Sequence, residues 1–188
     1  MKRDATSVQA LSEEIVGRLV RRHSTAAVLF HHALAERLGL GPTDHKCLDL
    51  VRERGGMTGA ELAAITGLTS GAITGVVARL ERAGYLRREP DPNDGRKQLL
   101  SAVPERVRDL QRVFQPIRDD AAALLEGFDK RQLTAIASFL IRSTDFAYRH
   151  AAHLRAQSLS SATAAPSPST TAPRRAPERR TARAARRP

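Results

Sequence analysis

Between positions 70 and 97 the chain gathers side chains suited to holding a ligand rather than breaking bonds. Ser70, Gly71, Ala72, Thr74, Gly75 and Arg79 form one run, and Arg87, Arg88, Asp94, Arg96 and Lys97 a second. Hydroxyls donate and accept hydrogen bonds, guanidinium and ammonium groups donate and carry positive charge, and glycines leave room for a close approach. Such a set suits an anionic surface that displays hydrogen-bonding edges. Bond-making chemistry has no comparable set: there is no Gly-rich phosphate loop, no metal-spaced Cys/His cluster and no nucleophile elbow. The adjacent pair His31-His32 cannot jointly grip one metal, because neighbouring side chains on a helix point about 100° apart. Neither an enzyme, a cofactor nor a metal site is expected.

The elements that must position these residues are legible in the same region. Ile73, Val76, Val77 and Leu80 stand at i, i+3, i+4 and i+7, one apolar stripe of a helix. Ser/Thr at 69 and 70 can cap its start, and Gly84 can close its end in the left-handed conformation. Upstream, Thr58-Gly59-Ala60-Glu61 is a capping box for a shorter helix with Leu62 and Ile65 on its apolar face, stopped by Gly67. Two short helices joined by a Gly-containing turn make a helix-turn-helix. The run YLRREPDPNDGRKQLLSAV adds two strand-like segments around the turn cluster Asp91 to Gly95, a β-hairpin. The whole reads as a winged helix-turn-helix.

Around this unit the patterning is helical. Leu11, Ile15, Leu19, Ala26, Phe30 and Leu34 mark a helix from Ser7 to about Leu38. At roughly 30 residues it spans about 45 Å, longer than one small core can cover, so part of it must pack on another element or another chain. Gly39 to Pro42 breaks it, and Thr43 is expected to cap a second helix from Asp44 to about Arg54. After the hairpin, Pro104 opens a stripe running to Gly127, with a kink or break expected at Pro116. A last helix, capped within Asp129 to Gln132, runs on through Ala147 towards Leu154.

Of the 188 residues 41% are hydrophobic, enough for one modest core, and the net charge of +11 favours an anionic partner. Roughly half of that charge lies in residues 160–188, which hold seven Arg and one Glu together with five Pro and no large apolar residue. That composition predicts a disordered tail. With Cys47 as its only cysteine the chain can form no intrachain disulfide, and Cys47 reads as a small buried hydrophobe rather than a redox switch. No apolar run is long enough to span a membrane and no apolar segment of a signal peptide opens the chain, so a soluble, cytoplasmic, nucleoid-associated protein is expected.

The segment LTSGAITGVVARLERAGYLRREPDPNDGRKQLL resembles the recognition helix and wing of the MarR-type (multiple-antibiotic-resistance) regulators. The likeness includes the exit Arg79, Leu80, Glu81, Gly84, Tyr85 and the wing tip D-P-x-D-x-R from Asp91 to Arg96, and with flanking helices it covers about residues 8–157. It implies a mainly α fold with a small β-hairpin wing: a winged helix-turn-helix flanked by long N- and C-terminal dimerisation helices. The corresponding division is an N-terminal dimerisation helix at 1–38, a DNA-binding domain at 43–103, C-terminal dimerisation helices at 104–157 and the tail. By the same resemblance the chain is a repressor acting as a homodimer on palindromic double-stranded DNA.

Site roles follow from that likeness. Gly71 and Gly75 lie opposite the apolar stripe, and either weaken the helix or admit DNA close to it. Base reading falls to Ser70 and Thr74, with Ala72 and the Thr74 methyl touching thymine methyls, while Ser70 has helix capping as its other possible role. Arg96 enters the minor groove. Asp94 shapes the wing tip, and Arg79, Arg87, Arg88 and Lys97 are phosphate contacts or ordinary exposed charges. Thr69 stands where some relatives carry an Asp able to pair with the wing arginine. A small aromatic or phenolic effector would bind between reader and dimerisation helices, near His23, Phe30, His31, His32 and His45. A sequence-indifferent architectural DNA-binding protein is the alternative reading, suggested by the polar-poor helix face and the Arg-rich tail. A helical protein whose winged helix contacts other proteins is a third.

Overall fold

Local signals decide where the two helices of the helix-turn-helix begin and end. In the computed structural model, which describes residues 2–92 and 94–164 (backbone alone for 2–6, 159 and 161–164), the chain is helical apart from one small sheet. Helix α4 (Gly59–Thr66) starts at the expected capping box: the Glu61 N–H donates to the Thr58 hydroxyl at 3.2 Å, and the Thr58 N–H donates to Glu61 at 2.7 Å. Gly67 ends it with φ +75°, a conformation that costs glycine nothing. Helix α5 (Ser70–Arg82) is capped by Thr69, whose hydroxyl accepts from the Ala72 N–H at 3.2 Å. Its far end closes as a Schellman turn, with Gly84 at φ +75°, Tyr85 N–H donating to the Leu80 carbonyl and Gly84 N–H to the Glu81 carbonyl.

Strands β2 (Leu86–Pro90) and β3 (Gln98–Ala102) form the expected antiparallel hairpin, in register from Leu86 opposite Ala102 to Pro90 opposite Gln98. A third strand, β1 (Met57–Thr58), pairs with Leu100 and Leu99, so the sheet order is β1-β3-β2. Two residues carry no readable alternation, and no sequence signal marked this strand.

The core is the winged helix-turn-helix itself. Leu48, Val51, Leu62, Val76, Val77, Leu80, Leu86 and Leu100 are buried together, joined by Leu40 before α3 (Pro42–Glu53) and Leu110 of α6 (Pro104–Val113). Each such leucine contributes about 1.5–3 kcal/mol relative to an exposed one. Gly41, not Thr43, is the N-cap residue of α3, because Pro42 takes the first helical position and Thr43 falls inside the first turn.

The N-terminal helix is α1 (Lys2–Glu14), a π-helical turn at Ile15–Leu19 and α2 (Val20–Arg37), longer than the stripe from Ser7 suggested. A break separates α6 from α7 (Gln115–Ala123) at Phe114, where Pro116 can sit in a first turn but not in a helix interior. Helix α8 (Lys130–Ala164) opens with reciprocal bonds between Asp129 and Gln132. It runs past Leu154 and past Ser160, where the tail was expected to start; residues 165–188 lie outside the described residues. Arg155 of α8 reaches back to the reader, donating to the Ile65 carbonyl at 3.0 Å beside Gly67.

Candidate nucleic-acid interface

Helix α5 buries Ile73, Val76, Val77 and Leu80 and turns Ser70, Gly71, Ala72, Thr74 and Arg79 outwards, with Gly75 half-buried between them. Thr69 takes the cap, so the Ser70 hydroxyl is left on the exposed surface and its capping role falls away. The Thr74 hydroxyl donates to the Ser70 carbonyl at 2.9 Å, which leaves it only as an acceptor towards a ligand. Among the described residues a Cβ added at Gly71 would meet nothing within 4 Å, and one at Gly75 would stand 3.4 Å from Arg79 Nη1. The surface is therefore small, open and nearly without donors of its own.

Arg79 is the exception, and it is already engaged. Its Nε and Nη2 donate to the two oxygens of Asp44 at 2.7 Å each, tying α5 to the start of α3. Asp44 is buried, and its hydrogen bonds raise the Arg79 pKa above the ordinary guanidinium value. A phosphate contact or an ordinary exposed charge was expected here; the side chain is half-exposed, and two of its five N–H groups hold a buried carboxylate. Asp44 is a functional candidate that sequence reading missed. An acid in a helix's first turn is ordinary complementarity to the helix dipole, and nothing local announced a partner 35 residues away.

The wing carries the remaining cations. Arg88 donates to Glu81 at 3.0 Å, which fastens β2 to α5, and Arg87 pairs with Glu89 on its own strand at 2.8 Å. Asp94 accepts from the Arg96 N–H at 3.2 Å, and lies 3.6 Å from both Lys97 Nζ and Arg96 Nε. The tip is thus held by its own acid, while the Arg96 side chain stands 97% exposed. A groove of about 440 Å³ runs between α4, α5 and the sheet, lined by Ser70, Thr74, Arg88 and Gln98. Gln98 at the start of β3 was not singled out from the sequence, since a polar residue beside a turn is unremarkable.

The residues expected near an effector separate. His23 is exposed on α2, about 12 Å along the axis from His31, and does not join the others. Phe30 lies against the His31 ring at 5.5 Å between centroids, and His31 faces His45 at 5.8 Å. A cavity of about 430 Å³ opens beside them, lined by Val28, His31, His32, Lys46, Cys47 and Leu68 among others. Burial lowers the pKa of both His31 and His45, which favours neutral imidazoles. Burial also pushes the Cys47 thiol up to about 11, with the Asp44 charge adding to it. No single helix among the described residues is long and apolar enough to cross a membrane.

Residues 38–97, the span from the approach to α3 through the wing tip, match the model of the MarR family. An uncharacterised HTH-type transcriptional regulator of Bacillus subtilis, YcgE, is 38% identical over 133 residues, covering 71% of this chain and 86% of the relative. In the solved structures the fold recurs in a MarR protein of Peptoclostridium difficile, with TM-score 0.52, 16% identity and coverage of 72% of this chain and 89% of that one. It recurs again in the transcriptional regulator Tm0710 of Thermotoga maritima, with TM-score 0.51, 22% identity and coverage of 73% and 96%. A capped reading helix with a bare outer face, an arginine-tipped wing and kinship over most of a regulator's length identify the chain as a DNA-binding transcriptional regulator of the MarR family.

Proposed function

We propose that the chain acts as a homodimer on a palindromic operator, represses transcription there, and is released by a small effector. The observation that carries the dimer is apolar surface left uncovered on the long helices. Val8, Leu11 and Val16 on the N-terminal helix, and Leu124, Phe128, Leu140, Ile141 and Phe146 from the end of α7 into α8, are all exposed. Patches of this extent mark association surfaces, and a two-fold dimer buries one patch on each chain against the other. Two-fold symmetry in turn sets two copies of α5 on successive major grooves of a palindrome, about one helical turn apart.

In this reading α5 reads the major groove through Ser70, Ala72 and Thr74, Gly71 and Gly75 admit the DNA, and Arg96 enters the minor groove. Arg87, Arg88 and Lys97 meet phosphates, with Arg79 held in place by Asp44. An effector bound between reader and dimerisation helices shifts the two readers to a spacing that no longer fits. That requires the ligand to prefer one spacing over the other. Residues 1–38 and 104–157, extended by α8 to Ala164, form the dimerisation arms around a reader at 43–103, and the regulator works in the cytoplasm on the nucleoid.

The nearly donorless face of α5 also supports a second reading, a sequence-indifferent architectural DNA binder. Competition binding at fixed salt separates the two. A regulator prefers DNA from its own upstream region over random DNA by roughly 10³ or more, whereas an architectural protein shows no such preference.

A further inference from the structure

Where α2 meets α3, His31, His45 and Asp49 each bring one ligand atom within 4.8 Å of the other two. We propose that these three residues form a site for a divalent first-row transition metal of the zinc type, joining α2 to α3. Three observations carry it. His45 is 6% exposed, yet among the described residues its Nδ1 has no hydrogen-bond partner, and the buried Nδ1 of His31 has none either. Buried polar atoms left unpaired cost free energy, and a metal ion would satisfy such nitrogens at once. Next, His45 Nδ1 stands 3.5 Å from Asp49 Oδ2 without forming a hydrogen bond to it. Two ligands at about 2.0–2.1 Å from a tetrahedral ion lie about 3.4 Å apart, so this spacing fits a shared metal. Finally, the donor set is right: two imidazoles and one carboxylate favour zinc, cobalt, nickel or iron over calcium or magnesium.

Binding has one local competitor. Lys46 Nζ lies 3.4 Å from Asp49 Oδ2, but on a half-exposed side chain free to move into solvent. Arg52 sits 3.8 Å from the other oxygen, Oδ1, and can stay there to orient the carboxylate. Water completes the coordination. The position of the site gives it a consequence. His45 follows Asp44 directly, and Asp44 holds Arg79 of the reading helix. An ion that draws His45 towards His31 therefore acts on the same turn of α3 that positions α5. This coupling rests on the DNA-reading role of α5; the metal site does not.

The test uses the full-length, untagged protein, titrated with zinc and, for its visible absorption, with cobalt(II). One equivalent should bind per chain, with the cobalt spectrum of a low-coordinate nitrogen and oxygen site and a raised melting temperature. Asp49→Asn and His31→Gln keep shape and polarity, and should weaken binding at least about tenfold each while the metal-free proteins melt near wild type. His150→Ala and His153→Ala, on exposed α8 imidazoles, should change nothing. No measurable binding, or equal binding by Asp49→Asn and His31→Gln, overturns the site. For the coupling, operator affinity of the wild type should change at least about threefold between zinc-loaded and metal-free protein, and the Asp49→Asn protein should not respond to zinc (a 1.4 kcal/mol difference being tenfold). Zinc bound with no change in affinity overturns the coupling and leaves the site.

Discussion

Asp44, in the first turn of α3, and Arg79, on the reading helix α5, share two hydrogen bonds of 2.7 Å each across 35 residues of chain. The carboxylate is buried and the guanidinium half in solvent, so the pair joins the core to the surface. Arg79→Ala strands the buried carboxylate and should lower the melting temperature clearly. Arg79→Lys keeps the charge but cannot donate in a planar pair, and should recover only part of the loss. If Arg79 were only a phosphate contact, Arg79→Ala would weaken DNA binding while its melting curve matched wild type.

Arg96→Ala tests the wing. The side chain is almost fully exposed beside Asp94, and the tip is closed by the Arg96 N–H bond to that carboxylate, so stability should be nearly unchanged. Operator affinity should fall roughly tenfold, within the range of about 1–3 kcal/mol for one specific contact. An unchanged dissociation constant at physiological salt would remove Arg96 from the interface.

Thr74 can only accept from a base while its hydroxyl donates to the Ser70 carbonyl. The base it reads must then offer an amino group, adenine N6 or cytosine N4. Thr74→Val should cost about 1–3 kcal/mol of discrimination at one such base pair per half-site, measured by binding to a set of operator variants. Equal discrimination by Thr74→Val and wild type across the whole set would contradict the assignment.

Gly75→Ala should add helix propensity of up to about 1 kcal/mol, less whatever it costs Arg79 Nη1 to give way at 3.4 Å. Operator affinity should fall, because the methyl stands on the reading face. Stability and affinity moving in opposite directions is the signature, read by thermal melts beside shift assays. A protein that melts higher and binds equally well would reduce the glycine to a tolerated weakness.

Cys47 is fully buried and its thiol is pushed up to about 11, so at neutral pH it is neither reachable nor ionised. The folded protein should resist a thiol-alkylating reagent that labels the unfolded chain within minutes, and mild peroxide should leave DNA binding unaltered. Rapid stoichiometric labelling of the native protein would reopen a redox role.

Removing residues 165–188, beyond the end of α8, takes away all seven tail arginines. Affinity for operator and random DNA should fall alike, and the slope of log K against log salt should flatten by roughly 0.9 for each phosphate that the tail had neutralised. An operator preference abolished at constant salt slope would assign specificity to the tail instead.

The reader was legible because its determinants are local. A capping box acts over four residues, a Schellman turn over six and the apolar stripe of α5 over eight, so the order of side chains alone sets them. Pro116 announced the break before α7 for the same reason: a missing N–H and a clashing ring need no tertiary context. Choices between equivalent neighbours were already less certain, and Thr69 took the cap that Ser70 could have held. What stayed hidden depends on contacts between distant segments. Strand β1 exists only because β3 offers it an edge, and Asp44 reaches Arg79 only once α3 and α5 share a core. The bend from Gly39 to Pro42 sets how α2 meets α3, and only that angle brings His31 to His45 and Asp49. Sequence by itself determined which helices form and which face of each is apolar, since those are properties of a few successive residues. The tertiary structure alone decided which charges are spent on one another and which imidazoles meet, because those pairings depend on the packing of elements far apart in the chain.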